Sequence, residues 1–178
     1  SPLILVISFL IWNQDKSNPL YIAERIGHKG KVFKIIKLRT MIINADRSGV
    51  DSTSSNDPRI TKIGGFVRKF KLDEFTQFIN ILKNEMSFVG PRPNVRRDVE
   101  IYTNIERRLL SVKPGITDFS SVIFSDEAEI LKDKIDPDIS YNQLIRPWKS
   151  RLGLFYIDNR NTFIDISLIF ITGINIFS

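Results

Sequence analysis

The run Lys71-Leu72-Asp73-Glu74-Phe75-Thr76-Gln77-Phe78 sets two adjacent carboxylates at the head of an apolar period, and sixteen residues after Asp73 the chain reads Val89-Gly90-Pro91-Arg92-Pro93. Phe75, Phe78, Ile79 and Leu82 recur at the i, i+3, i+4, i+7 spacing of one helix face, so the spacing predicts a helix with Asp73 near its N-cap. A carboxylate there faces unpaired backbone N–H groups and the positive end of the helix dipole. These hold it ionised, fixed in direction and close to any bound phosphate. Such an aspartate is a usable nucleophile. Neighbours on a helix point about 100° apart, so one carboxylate can face a phosphorus atom while the other holds a hard cation such as Mg²⁺. Asp-Glu at a helix start is also ordinary capping, and the surrounding motifs have to decide between the two.

With 178 residues and 42% hydrophobic content, the chain fits one domain with a real core. A formal net charge of +6 admits nucleic acid, an anionic membrane surface or a phosphate-bearing substrate as partner. The absence of cysteine and the single histidine, His28, exclude a zinc cluster, a thiol nucleophile and a disulfide framework, and a Ser-His-Asp triad would have to use His28. Catalysis is left to carboxylates, Arg and Lys. No phosphate-loop or dinucleotide fingerprint is present, because Gly27-His28-Lys29-Gly30 lacks the spacing, and no nucleic-acid-binding motif is found.

The first segment, Ser1-Pro2-Leu3-Ile4-Leu5-Val6-Ile7-Ser8-Phe9-Leu10-Ile11-Trp12, lacks an initiator methionine and is expected to be the remainder of a membrane-inserted helix. Ser1 would cap it and Pro2 would start it. Its apolar part rises only about 16 Å as a helix, about half of a bilayer core, so it does not span alone. A proline placed mid-helix would break it and allow entry and exit on one side. A kinked transmembrane helix, a signal remnant and a buried core helix are the alternatives.

Tyr21–Gly27 and Val32–Met41 are expected as strands joined by the turn His28-Lys29-Gly30, with Lys37 and Arg39 on one strand face, where they can take phosphate oxygens or be solvated. Ser48 to Asn56 is expected to be a mobile loop, and Thr61 starts a helix carrying Ile63, Phe66, Val67 and Phe70. Further helices are expected near 96–110, 126–134, 147–158 and 162–176. Lys113-Pro114-Gly115-Ile116-Thr117 is a turn signature that also offers a cation and free backbone amides. The last segment, polar at Thr172, Gly173 and Asn175, is expected to pack on the core or lie in a membrane interface.

Taken together, these residues resemble the bacterial sugar transferases, the small monotopic phosphoglycosyl transferases. The likeness is carried by Arg25-Ile26-Gly27 with Gly30, Phe33 through Met41, Asp57-Pro58-Arg59-Ile60-Thr61, Ile63-Gly64, Arg68 with Leu72-Asp73-Glu74 and Gln77, Asn80 with Leu82-Lys83, and Met86-Ser87 with Val89 through Pro93. Pro114 through Thr117 and Tyr156-Ile157 with Asn159 and Asp165 extend it. Ser1-Pro2 looks like the helix-breaking pair of the family's re-entrant membrane helix.

The resemblance implies transfer of a sugar 1-phosphate from a UDP-sugar to polyprenyl (undecaprenyl) phosphate, releasing UMP through a phosphosugar-aspartate intermediate. Asp73 matches the nucleophile and Glu74 the Mg²⁺ ligand. Arg68 and Arg92 are the first candidates for phosphate binding, with Lys37, Arg39 and Arg59 behind them. The implied fold is α+β: a small sheet surrounded by helices, with residues 1–12 the remainder of the re-entrant helix and residues 13–178 the catalytic domain. The implied place is the bacterial inner membrane, the catalytic domain on the cytoplasmic face, in contact with lipid and not with nucleic acid, and a homo-oligomer is allowed. Phe75-Thr76 replaces the family's usual Leu-Pro after the dyad. After Thr117 many members continue with Gly and a Q-V-N-G-R stretch, whereas this chain reads Asp118-Phe119-Ser120-Ser121-Val122-Ile123. A catalytically silent membrane-surface module is the alternative that anchoring alone would produce, and a nucleic-acid binder is suggested by charge only.

Overall fold

A computed structural model describes residues 2–49 and 52–177, which form a mixed α+β fold of short helices around two small sheets. Helix α1 (Pro2–Asp15) leads into the antiparallel hairpin β1 (Leu20–Ile26) and β2 (Val32–Leu38), in register from Leu20 opposite Leu38 to Ile26 opposite Val32. The expected turn is present, with Lys29 and Gly30 at positive φ. After it come α2 (Lys62–Lys69), a 3₁₀ turn over Leu72–Gln77, α3 (Phe78–Leu82), β3 (Ser87–Val89), α4 (Arg96–Glu100) and a second 3₁₀ turn over Glu106–Ser111. Strand β4 (Gly115–Thr117) pairs in parallel with β3, followed by α5 (Phe119–Ile123), α6 (Glu127–Ile130), α7 (Pro137–Ser140), a π turn over Tyr141–Ile145, α8 (Arg146–Asn159) and α9 (Thr162–Phe177).

Hairpin residues are buried from both faces. Phe33 and Ile35 pack with Met86 on one side, and Leu38 packs with Ile7, Ile11 and Val67 on the other. Strand β2 would leave an edge open opposite β1, and side chains close it. Asn80, fully buried, accepts from Ile36 N at 3.1 Å and donates to Lys34 O at 2.7 Å, while Thr76 Oγ1 donates to Ile36 O at 2.9 Å. The 3₁₀ turn and α3 thus stand where a third strand would pair.

That docking inverts the sequence expectation for this segment. Thr76, Gln77 and Asn80 face inward, and Phe75, Phe78, Ile79 and Leu82, read as one apolar face, lie exposed. The aromatic rings meet each other instead, Phe75 edge-on to Phe78 at 5.7 Å and Phe78 against Phe88 at 5.6 Å. Helix α9 is mixed: Leu168 is buried with Val89 and Tyr156, and Ile164 packs beside them. Thr172 shares a hydrogen bond with Thr117 at 2.5 Å and Asp165 accepts from Tyr156 at 2.8 Å, while Phe163, Ile166 and Phe170 point to solvent.

Helix α1 runs three residues past the expected Trp12, and its cap at Ser1 lies outside the described residues. It belongs to the core on one face: Ile7 and Ile11 are buried against α2 and β2, while Leu5, Val6 and Phe9 are exposed. Among the described residues no helix is long and apolar enough to cross a membrane. The expected helix over 96–110 is two elements, because Thr103 and Glu106 form a capping box that restarts the chain: Thr103 N donates to Glu106 Oε2 and Glu106 N to Thr103 Oγ1. The 126–134 helix shrinks to α6, whereas Thr61 caps α2 as its sequence predicts, accepting from Gly64 N at 2.9 Å. In the Ser48 to Asn56 loop, Val50 and Asp51 lie outside the described residues, and Ser52 N and Ser55 N donate to Asp138 and to Ala128 O.

If the edge closure holds β2 in place, Asn80→Ala, which strands Ile36 N–H and Lys34 C=O in the interior, costs about 2–4 kcal/mol. Thr76→Val, which loses one bond, costs about 1 kcal/mol. Urea unfolding of the two variants beside the wild type measures both, and equal, negligible losses would place the closure elsewhere.

Candidate active site

Three chain segments converge on the carboxylate pair. Strand β2 contributes Lys37, the residue after the Ile36 that Asn80 and Thr76 grip. The 3₁₀ turn contributes Asp73 and Glu74. Lys71, in the left-handed conformation at φ 50°, turns the chain out of α2, so that Asp73 and Glu74 sit in the first 3₁₀ turn rather than at an α-helix N-cap. The expected dipole argument for Asp73 therefore gives way to one from side-chain charges.

The third segment is Pro91-Arg92-Pro93, held by the parallel pair. Gly115 N donates to Pro91 O at 3.1 Å and Gly90 N to Thr117 O at 3.0 Å, and the backbones pass so closely that a Cβ on Gly115 would lie 2.1 Å from Gly90 N. Only glycine fits that crossing. The Pro114–Thr117 stretch is thus a strand whose Gly115 amide is spent on the arginine loop, not a turn with free amides, and Lys113 pairs with Asn84.

Both cations reach the same oxygen of Glu74. Arg92 Nη2 lies 2.5 Å and Lys37 Nζ 3.0 Å from Oε1, and Oε2 has no protein partner among the described residues. Asp73 accepts no side-chain hydrogen bond there, and its nearest charge is Lys37 Nζ at 3.8 Å from Oδ2. Each carboxylate side chain is 14% exposed. The two respond in opposite directions. Burial pushes Asp73 above its ordinary value, and Glu74 adds to the rise against the partial offset of Lys37, Arg68 and Arg92. Burial acts on Glu74 as well, but the charges and hydrogen bonds of Arg92 and Lys37 outweigh it and hold Glu74 well below the carboxylate range.

Arg68, from α2, donates Nε to Thr40 Oγ1 at 2.7 Å and leaves its Nη atoms without a hydrogen bond among the described residues, in electrostatic reach of Asp73. Lys71 was not among the residues the sequence singled out. It lies in electrostatic reach of Glu74 and Asp73, burial pushes it down, and its Nζ is 3.5 Å from Ser121 O. Its position next to Leu72-Asp73 was the available signal. Lys37, Arg68, Lys71 and Arg92 surround Asp73 and Glu74, and with buried Asp118 also acting on Lys71 and Arg92 the cluster keeps a net positive charge. That field suits a phosphate-bearing ligand.

Arg39 and Arg59 are not brought here. Strand β2 ends at Leu38, so the alternation that placed Arg39 beside Lys37 stops, and its guanidinium takes both Asp15 oxygens at 2.5 and 2.7 Å. Arg59 clasps Asp57, with Nη2 at 2.6 Å from Oδ2, and donates to Ser52 O.

No cluster of three metal-binding side chains exists among the described residues. A magnesium ion usually needs only one or two carboxylates when phosphates and water complete its shell, and the unpartnered Glu74 Oε2 is such a donor, with Asp73 beside it. The residues present fit the ion on those terms.

An unencumbered carboxylate of raised proton affinity, flanked by surplus cations and by a second carboxylate kept ionised, is equipped for attack on a phosphorus centre. The chain matches the bacterial sugar transferase family over residues 1–178 and belongs to it. It is similar to the exopolysaccharide production protein ExoY of Sinorhizobium fredii, 39% identical over 132 residues, 66% of this chain and 58% of that protein. It is 32% identical over 162 residues, 87% of the chain and 38% of the relative, to the UDP-N-acetylgalactosamine-undecaprenyl-phosphate N-acetylgalactosaminephosphotransferase of Aeromonas hydrophila. The UDP-glucose:undecaprenyl-phosphate glucose-1-phosphate transferase of Escherichia coli is 32% identical over 179 residues, 97% of the chain and 35% of that protein. The chain therefore spans between about a third and three fifths of these relatives.

The electrostatics predict that the Asp73 carboxyl, followed by carbon NMR, titrates above the ordinary value of about 3.9, and that Lys37→Met raises it further by removing an attracting charge. Glu74 has the opposite sign: its folded value is depressed, so its pairing adds stability above the unfolded value of about 4.3, lost as pH falls through the folded value. Arg92→Ala should weaken that acid dependence in pH-dependent unfolding, and an unchanged profile would exclude the pair as its source.

Proposed function

We propose that this chain transfers a sugar 1-phosphate from a UDP-sugar to polyprenyl (undecaprenyl) phosphate, the first membrane step in assembling a bacterial polysaccharide or glycoconjugate. The observation that carries the reading is the division of labour at the dyad: the Asp73 carboxylate accepts no hydrogen bond among the described residues, while Glu74 is held ionised by Lys37 and Arg92. The names of the Aeromonas and Escherichia relatives support donor and acceptor.

In the proposed reaction an Asp73 oxygen attacks the sugar-bearing phosphorus, the bond from that phosphorus to the bridging oxygen breaks, and UMP leaves with that oxygen. A phosphate oxygen of the polyprenyl carrier then attacks the phosphosugar-aspartate, forming the lipid-linked diphosphate and returning the carboxylate. Arg92, restricted by its prolines, and Arg68, with its free Nη atoms, hold phosphate oxygens as charge builds on them, and Lys37 and Lys71 keep the attacked phosphate in a positive field. Glu74, through Oε2, would hold Mg²⁺, which supplies charge neutralisation on the diphosphate and the departing UMP.

The outward apolar residues support seating on a lipid surface. Phe75, Phe78 and Phe88 flank the dyad's own elements, and the exposed side chains of α1 and α9 extend the apolar surface. A lipid acceptor then reaches the dyad without leaving its bilayer. The inner membrane, with this domain on the cytoplasmic side, is the proposed location.

Membranes containing the protein, supplied with undecaprenyl phosphate, Mg²⁺ and a panel of UDP-sugars, are expected to release UMP. Asp73→Asn should lower turnover by about 10³-fold or more. Glu74→Gln should retain some rate and need more Mg²⁺ to reach it. A folded wild type releasing no UMP from any donor would favour the silent membrane-surface module, and undiminished release by Asp73→Asn would remove Asp73 as nucleophile.

A further inference from the structure

The stretch from Asp118 onward folds against the arginine loop and encloses with it an open pocket of about 110 Å³. Asp118, Tyr141, Arg146, Lys149 and Ser150 line it together with Arg92. Since one water occupies about 10–15 Å³ by this measure, the pocket takes roughly seven to eleven water-sized groups, the bulk of a hydroxylated six-membered ring.

Its charges are matched in place. Arg92 pairs with Glu74, Lys149 with Glu127, and Arg146 lies 3.9 Å from Glu106. A second phosphate would find little surplus charge here, whereas a neutral ligand rich in hydroxyls meets a mixed set of donors and acceptors. Two of those groups are unspent. Arg146 Nη2 is buried and, although Glu106 Oε1 stands 3.9 Å away, it has no hydrogen-bond partner, so a ligand acceptor would satisfy it. The Tyr141 hydroxyl has no protein hydrogen bond among the described residues, and burial pushes its pKa up, so it stays a neutral donor and acceptor. Its ring is fixed under Lys149 Nζ, 5.1 Å from the centroid.

Arg92 is common to both places, touching Glu74 with Nη2 while its side chain lines the pocket. We propose that the pocket seats the sugar ring attached to the phosphate at the dyad, and that Tyr141 and Arg146 select which sugar is transferred. The proposal rests on the transferase reading above. It makes the stretch after Thr117 the specificity element, and leaves the chemistry to Asp73, Glu74 and Arg92.

The test compares wild type, Tyr141→Phe and Arg146→Gln for kcat/KM with UDP-sugars that differ at C2 and C4, and for inhibition by UDP, which carries no sugar. Tyr141→Phe removes one oxygen and spares the fold, so it decides the matter if Arg146→Gln unfolds. Loss of one hydrogen bond should lower kcat/KM for the preferred donor by about 3- to 10-fold, reorder the donors and leave UDP inhibition unchanged. Parallel weakening of UDP would assign the pocket to the nucleoside, and an unchanged donor ranking would remove it from sugar selection; either overturns the proposal. If wild type releases no UMP from any donor, the transferase reading has failed on its own. Calorimetry then still decides the pocket: a UDP-sugar binding more tightly than UDP, by a margin that Tyr141→Phe reduces, supports it, and no such margin overturns it.

Discussion

The side-chain closure of the β2 edge is the contact on which fold and site both depend. A lone two-stranded hairpin is marginal in water and leaves one row of backbone groups unpaired on each outer edge. Here Asn80 and Thr76 satisfy Ile36 and Lys34 with amide and hydroxyl groups. The same few bonds bring the 3₁₀ turn against β2, so that Lys37, one residue beyond Ile36, meets Glu74. No separate device is needed to assemble the dyad.

The closure also explains why the segment turns its polar side inward. Asn80 and Thr76 can bond the strand only if they face it, and Phe75, Phe78 and Ile79 are then left outside. In an ordinary soluble domain such an arrangement exposes apolar area that water disfavours. Helix α9 is mixed instead: Thr172 and Asp165 bond inward beside buried Leu168, while Phe163, Ile166 and Phe170 lie outside.

The hairpin, its turn, the Thr61 cap and the convergence of Asp73, Glu74 and Arg92 were legible in the sequence, because alternation, capping residues and proline punctuation act locally. The period of Phe75, Phe78, Ile79 and Leu82 was legible as a face but not as a direction, since spacing identifies which residues lie together and not what they lie against. Arg39 and Arg59 show the corresponding limit for charge. An arginine in a motif advertises a fork of donors, but Asp15 and Asp57 were near enough to occupy those forks, and only the tertiary arrangement says which arginine stays available. The short elements after Thr117 carry no sustained period, so the pocket beside Arg92 had no sequence signature.

The dyad gains its asymmetry from where the cations stand, not from the carboxylates themselves. Both Arg92 and Lys37 approach a single oxygen of Glu74, which keeps that group ionised and leaves its second oxygen open. The Asp73 carboxylate accepts no hydrogen bond among the described residues and is as buried, and burial raises its proton affinity. A carboxylate wrapped in donors would be a poorer nucleophile, because attack would first require breaking those bonds, and a carboxylate far from cations would be protonated or repelled by an anionic donor. Asp73 lies between these limits, with Lys37 at 3.8 Å supplying field without a bond. The 3₁₀ geometry contributes to this. An N-cap aspartate would have spent its oxygens on backbone N–H groups, so the departure from the expected α-helix leaves the Asp73 carboxylate without such bonds.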